Sequence, residues 1–177
     1  MNIFETIAKR HSCRSFKDEQ ITDKELETIL QAANAAPVGM GNYSDVNLTV
    51  VQNRNLISKI ENVTYQATNS VGEHAAYEAP TLIIVSAKKD ETVSVGLPHR
   101  NASCIMQNMM LASTALGLGS VYIMSIPMVI ESNSELCKEL MIPDGFFPVS
   151  IMAVGKPKDE VKAREMTLSK IGTDFLK

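Results

Sequence analysis

The chain has 177 residues, a formal net charge of −3, 45% hydrophobic residues and 21% charged ones. That length suits one domain over residues 1–177, or one that completes its core by pairing with a copy of itself. The acidic balance argues against a general nucleic-acid binder, which needs a basic face, and no apolar run reaches membrane length. Cys13, Cys104 and Cys137 are an odd number at unpatterned spacings, so neither a disulfide framework nor a zinc site is indicated. A reduced, cytoplasmic chain is the expectation. Glu5 interrupts the first residues, which lack the apolar segment of a signal peptide.

In chain order, Met1 to Lys9 reads as a short amphipathic helix. Thr22 followed three residues later by Glu25 is a capping-box pattern. Leu26, Ile29, Leu30 and Ala33 then recur at helical spacing, and Pro37 closes the segment. PVGMGN over 37–42 is a loop. Val46, Leu48 and Val50 alternate with polar residues, as in a strand with one wet face. Residues 54–78 look helical but uneven, with Asn69, Ser70 and Gly72 as an interruption. TLIIVSAKK reads as a strand buried on both faces. Pro98 to Leu116 is the longest helix candidate, broadly apolar, and suited to the centre of a domain or a dimer interface. SVYIMS (120–125) is a further strand, Asn133 to Met141 a short helix, and Phe147 to Lys156 another apolar strand. The charged tail ends in a weak amphipathic segment. The sum is about four strands covered by helices, an α+β or α/β domain. The ten methionines read most simply as core residues standing in for leucine.

The sequence has no GxSxG elbow, no HExxH, no Walker A loop and no GxGxxG fingerprint. Without a nucleophile–base pair, either the chain is not an enzyme or a cofactor carries the chemistry. Two basic clusters stand out. KRHSCRSF (9–16) gathers Lys9, Arg10, His11 and Arg14 around Ser12, and Lys162 and Arg164 lie near the other end. Arginine forks and a serine hydroxyl match phosphate oxygens. On composition alone, a solvated basic helix end and a charged tail are the simpler readings. Together, the clusters raise the possibility that one phosphate is gripped from both ends of the chain. Glycine-containing loops at 39–41 and 117–119 could then admit a flat ring.

Five segments in order resemble the nitroreductase family of FMN-dependent oxidoreductases, in its short form. They are IAKRHSCRSF, AANAAPVGMGN, QNMMLASTALGLGSVYI, VSIMAVGKP and VKAR. The resemblance implies an α+β nitroreductase-like fold with a central, mainly antiparallel sheet flanked by helices, in a domain-swapped-type homodimer. It implies FMN as cofactor, reduced by NADH or NADPH, with two-electron transfer to nitro compounds, quinones or related small-molecule acceptors. Arg10, His11, Ser12 and Arg14 then match positions that hold the FMN phosphate and part of the flavin. Lys162 and Arg164 match the second phosphate contact. Pro37, Val38 and Gly39 match the loop beside the ring, commonly supplied by the other subunit. Tyr122, Ile123, Met124 and Ser125 match the segment along the ring edge, with a backbone N–H near Met124 facing flavin N5. Phe16 is expected to anchor the turn after the first helix. Where members use Asn and Lys at the pyrimidine, this chain reads NSVGEHAAYEAP, leaving Asn69, Ser70 and Glu73 as candidates. Asn42 stands one residue from the family's usual position. Other readings on the same fold are a dehalogenase, a flavin destructase or a non-enzymatic FMN-binding protein.

Overall fold

A computed structural model describes residues 1–68, 74–89 and 96–177. Helix α1 (Ile3–Lys9) opens on a capping box in which the Asn2 side chain accepts the Glu5 N–H and the Glu5 carboxylate accepts the Asn2 N–H. Helix α2 (Asp23–Asn34) opens on the capping box expected from Thr22 and Glu25. Each box satisfies two backbone donors that a helix start leaves free. A 3-10 turn over Gly39–Gly41 leads to strand β1 (Val46–Val51) and helix α3 (Arg54–Thr68). Then come strand β2 (Thr81–Lys88), helix α4 (Leu97–Ala115) and strand β3 (Gly119–Ile123). Helices α5 (Ser125–Glu131) and α6 (Ser134–Glu139) precede strand β4 (Phe146–Gly155).

The strands form one sheet in the order β1-β2-β4-β3, and all three pairings are antiparallel. The central strands β2 and β4 carry apolar side chains on both faces because both faces are covered. Leu82, Ile84, Ile151 and Ala153 enter a core with Ile57 and Ile60 of α3 and Ile126 and Ile130 of α5. Ile83, Val85, Met152 and Val154 face the opposite way, toward Ile29 of α2 and Ile105, Met106 and Met109 of α4. β1 and β3 are the edges of the sheet.

Two expectations need correction. The strand expected over 120–125 ends at Ile123, and the following residues form α5. Ile126, Val129 and Ile130 are buried at helical spacing, and Pro127 sits in the first turn, where its missing N–H is tolerated. The tail from Lys156 to Lys177 contains neither helix nor strand. The methionines also divide differently. Met106, Met109, Met110 and Met152 are buried, whereas Met1, Met40, Met124, Met128, Met141 and Met166 are exposed. The interruption expected at Asn69, Ser70 and Gly72 lies outside the described residues. Among those residues, no helix is long and apolar enough to cross a membrane.

Candidate functional site: a cation-lined cavity at the root of an edge strand

Three segments far apart in sequence interlock to build the site. The Cys13 N–H donates to the Ser120 carbonyl at 3.0 Å, the Lys17 N–H to Lys156 at 2.8 Å, and the Lys158 N–H to Ser15 at 3.1 Å. Residues 12–17 are thereby stitched between the start of β3 and the exit of β4. Two glycines make room for them. A Cβ on Gly119 would lie 2.6 Å from Cys13 Sγ, and one on Gly155 would lie 2.6 Å from Pro80 Cδ and 3.1 Å from Phe16 Cδ1. Phe16 is 1% exposed and bridges Pro157. LGLG, VGKP and RHSCRSF are thus parts of one packed junction, with Phe16 as its anchor, as the sequence leads one to expect.

Above this junction lies a cavity of about 370 Å³. Its lining combines His11, Ser12, Cys13 and Arg14 from the start of the chain with Asp159, Glu160 and Lys162 from the tail. The two basic clusters therefore meet. Arg164 donates its backbone N–H to the Ala8 carbonyl at 3.0 Å and its guanidinium to the Ile7 carbonyl at 3.1 Å. It caps the C-terminal turn of α1, where carbonyls lack helical partners and a cation is favoured. Burial, and then the neighbouring Arg164, pull the Arg10 pKa down from its ordinary value. Among the described residues, no carboxylate lies within 4.0 Å of the side-chain nitrogens of Lys9, Arg10, His11, Arg14, Lys162 or Arg164. Asp159 and Glu160 share the cavity wall but form no direct ion pair with these cations, whose donors are left to meet an anion.

The free edge of β3 leads away from this cavity. Ser120 turns its carbonyl outward to Cys13. Backbone groups alternate sides along a strand, so Tyr122 presents its own to the same open edge, and Met124 follows the strand as the first residue before α5. Ile123 buries its side chain in the core, whereas Met124 is 68% exposed and Ser125 is also exposed. Ile123 can contribute only backbone here.

Pro37, Val38 and Gly39 sit elsewhere. Val38 is buried against the α2–α4 core. The Gly39 N–H donates to Asn101 Oδ1 at 3.0 Å, and a Cβ on Gly39 would lie 2.7 Å from Leu97 Cδ1. Among the described residues, these three do not line the cation-bearing cavity. Asn42 is exposed. Asn69, Ser70 and Glu73 lie outside the described residues. Sequence reasoning does not find Asp159, Glu160 or Tyr77, whose ring lies 5.8 Å from the Arg14 guanidinium carbon. No local signal marks any of them. Cys13 is 5% exposed and donates to the Ser15 carbonyl at 3.3 Å, and burial pushes its thiol pKa up. The neutral thiol is a poor nucleophile. Cys13 is therefore expected to stay unmodified by iodoacetamide in the folded protein and to react after denaturation, as read by peptide mass. Modification of Cys13 at equal rates in both states would contradict this packing. No group of three or more metal-ligating side chains occurs among the described residues.

A profile of the Nitroreductase family matches residues 7–156. The crystal structure of a nitroreductase with bound FMN from Desulfitobacterium hafniense superposes with a TM-score of 0.84 at 26% identity, covering 99% of this chain and 100% of that one. A protein of Archaeoglobus fulgidus that carries the name NADH dehydrogenase/NAD(P)H nitroreductase is 28% identical over 155 residues, 87% of this chain and 84% of its own. An NADPH-flavin oxidoreductase of Vibrio harveyi is 28% identical over 172 residues, 92% of this chain and 70% of its own. With a match that runs from α1 through all four described strands, the chain belongs to the Nitroreductase family.

Proposed function

We propose that the chain is an FMN-dependent NAD(P)H oxidoreductase that passes electron pairs to nitro compounds, quinones or related flat acceptors. The observation that carries the proposal is that His11 and Arg14 from one end of the chain and Lys162 from the other line one cavity, with no direct ion pair to a carboxylate among the described residues. A phosphate is the anion such a cluster suits, because arginine forks and a lysine ammonium meet several oxygens at once. The rest of an FMN molecule also fits the surroundings. From Ser120 to Ile123 the edge strand advances ~10 Å at ~3.3 Å per residue, long enough to run beside an extended ribityl phosphate. The family and the FMN bound in the Desulfitobacterium relative support the same group.

In this reading Arg10, His11, Ser12, Arg14 and Lys162 hold the phosphate. Arg164 acts mainly by pinning the tail to α1, which keeps Lys162 facing the cavity. The outward backbone of Tyr122 and the Met124 N–H at the start of α5 serve the ring edge, and the exposed Met124 side chain covers it. When bound, FMN supplies the two-electron redox chemistry that no side-chain constellation offers. The chain's part is to orient the group and place donors where charge develops.

A homodimer completes the proposal. Pro37 to Gly39 do not reach the cavity of their own chain, so their proposed flavin contact requires a second copy. In the tail, Leu168, Ile171, Phe175 and Leu176 are exposed, an apolar series suited to cover a partner subunit. The test is the visible spectrum of the purified protein with FMN, then with NADPH or NADH in the absence of air. Bound-flavin bands that bleach on adding nicotinamide are expected. Binding without bleaching would mark a flavin carrier, and failure to bind FMN would overturn the reading.

A further inference from the structure

We propose that Tyr77 is a positioning residue for Arg14, and that the strained turn carrying it exists to hold this arginine without neutralising it. The inference rests on the phosphate-binding reading above. Tyr77 and Glu78 are consecutive non-glycine residues in the left-handed region, with φ of 59° and 57°. Such a conformation crowds Cβ against the backbone and persists only where the surroundings impose it.

The surroundings that impose it are visible. Glu61 of α3 is 7% exposed, and its Oε1 accepts the Ala76 N–H at 3.0 Å. A buried carboxylate that accepts this amide, with His74 Nδ1 3.9 Å from its other oxygen, fixes the turn firmly, because leaving a buried polar group unmatched is costly. Ala75, Ala76 and Ala79 are buried in the adjoining core, and the Tyr77 N–H donates to the His74 carbonyl at 2.9 Å. The result is a rigid mount for one aromatic ring, half-buried against that core.

The ring faces Arg14. The guanidinium carbon lies 5.8 Å from the ring centroid, within the range where the ring quadrupole attracts a cation. Among the described residues, the other polar contact of the Arg14 side chain is a long one, 3.5 Å to the Ser12 carbonyl. An exposed arginine otherwise samples many rotamers, and ordering it opposes binding. A carboxylate neighbour would restrain it more strongly but would also cancel the charge a phosphate needs. An aromatic face restrains the guanidinium while leaving its charge uncompensated and most of its donors free.

The prediction separates phosphate grip from general packing. The full-length chain, stripped of flavin, is titrated with FMN and with riboflavin, which lacks the phosphate. Tyr77→Leu is expected to raise the FMN Kd about three- to tenfold and leave the riboflavin Kd unchanged. Tyr77→Phe, which keeps the ring, is expected to match wild type for both. An unchanged FMN Kd in Tyr77→Leu would overturn the assignment. So would equal weakening of FMN and riboflavin, which marks a packing role, or a Tyr77→Phe variant as weak as Tyr77→Leu. A wild-type chain with no preference for FMN over riboflavin would overturn the phosphate reading itself, and this inference with it.

Discussion

Phe16→Ala is expected to destabilise the chain by about 3–5 kcal/mol, the range for removing a fully buried phenylalanine, and to abolish FMN retention at the same time. Phe16 is 1% exposed, and its ring edge lies 3.4 Å from where a Cβ on Gly119 would stand and 3.1 Å from that of Gly155. The two glycines let β3 and β4 approach the ring closely, and neither offers a side chain that could swing into the vacated space. Pro80, the other close neighbour of Gly155, is a ring with little freedom to move. The cavity left behind therefore stays open, which is the condition for the upper part of the range. The damage spreads to the site because residues 12–17 carry Ser12, Cys13 and Arg14 of the cavity wall and are held by Phe16 and a few backbone hydrogen bonds. Gly155→Ala probes the same junction by overpacking, since its Cβ would meet Pro80 Cδ at 2.6 Å. A loss of about 1–3 kcal/mol is expected there. Urea unfolding midpoints check both values. A Phe16→Ala loss below about 1 kcal/mol, or full FMN retention in that variant, would mean that the segment is anchored elsewhere.

Features fixed by neighbours in sequence are legible from the residues alone. The Thr22–Glu25 capping box is one, because both partners lie within one helical turn. The doubly buried run of β2 is another, because Leu82 to Val85 supply apolar side chains to both faces. The helix α5 is not legible. VYIMSIPMVI is apolar almost throughout, so periodicity cannot separate its strand half from its helical half. The boundary falls at Met124 because Ile126 and Ile130 find a core to enter. The two basic clusters are visible as composition, but their meeting depends on the β4 exit turning the chain back past Ser15. The roles of Tyr77 and Glu61 are invisible in the sequence. A left-handed tyrosine carries no local sequence mark, and a buried glutamate in a helix looks like any surface glutamate until the turn it caps is in place. Arg164 shows the reverse case. The simpler sequence reading, a cation at a helix C-terminus, is realised at α1, by a residue from the far end of the chain.

Arg14→Ala and Lys162→Ala are each expected to raise the FMN Kd by about 10–100-fold, the scale of one charge-assisted hydrogen bond, with riboflavin affinity unchanged. The double variant should lose less than the product of the single losses. The two cations line one cavity and, in the proposed site, serve one phosphate, so removing either lets that phosphate shift toward solvent and weakens its contact with the other. Neighbours sharing a partner are coupled by about 0.5–3 kcal/mol. Ionic strength gives an independent readout. Wild-type FMN affinity should fall as salt screens the cluster, and the double variant should depend on salt far less. Arg164→Ala should behave differently from both. Its guanidinium caps the Ile7 carbonyl, so it should lower stability, and should weaken FMN binding only by freeing the segment that bears Lys162. Strict additivity of Arg14→Ala and Lys162→Ala would mean that the two ends of the chain bind different groups. Unchanged FMN affinity in Lys162→Ala alone would remove the tail from the site and leave the phosphate to the first cluster.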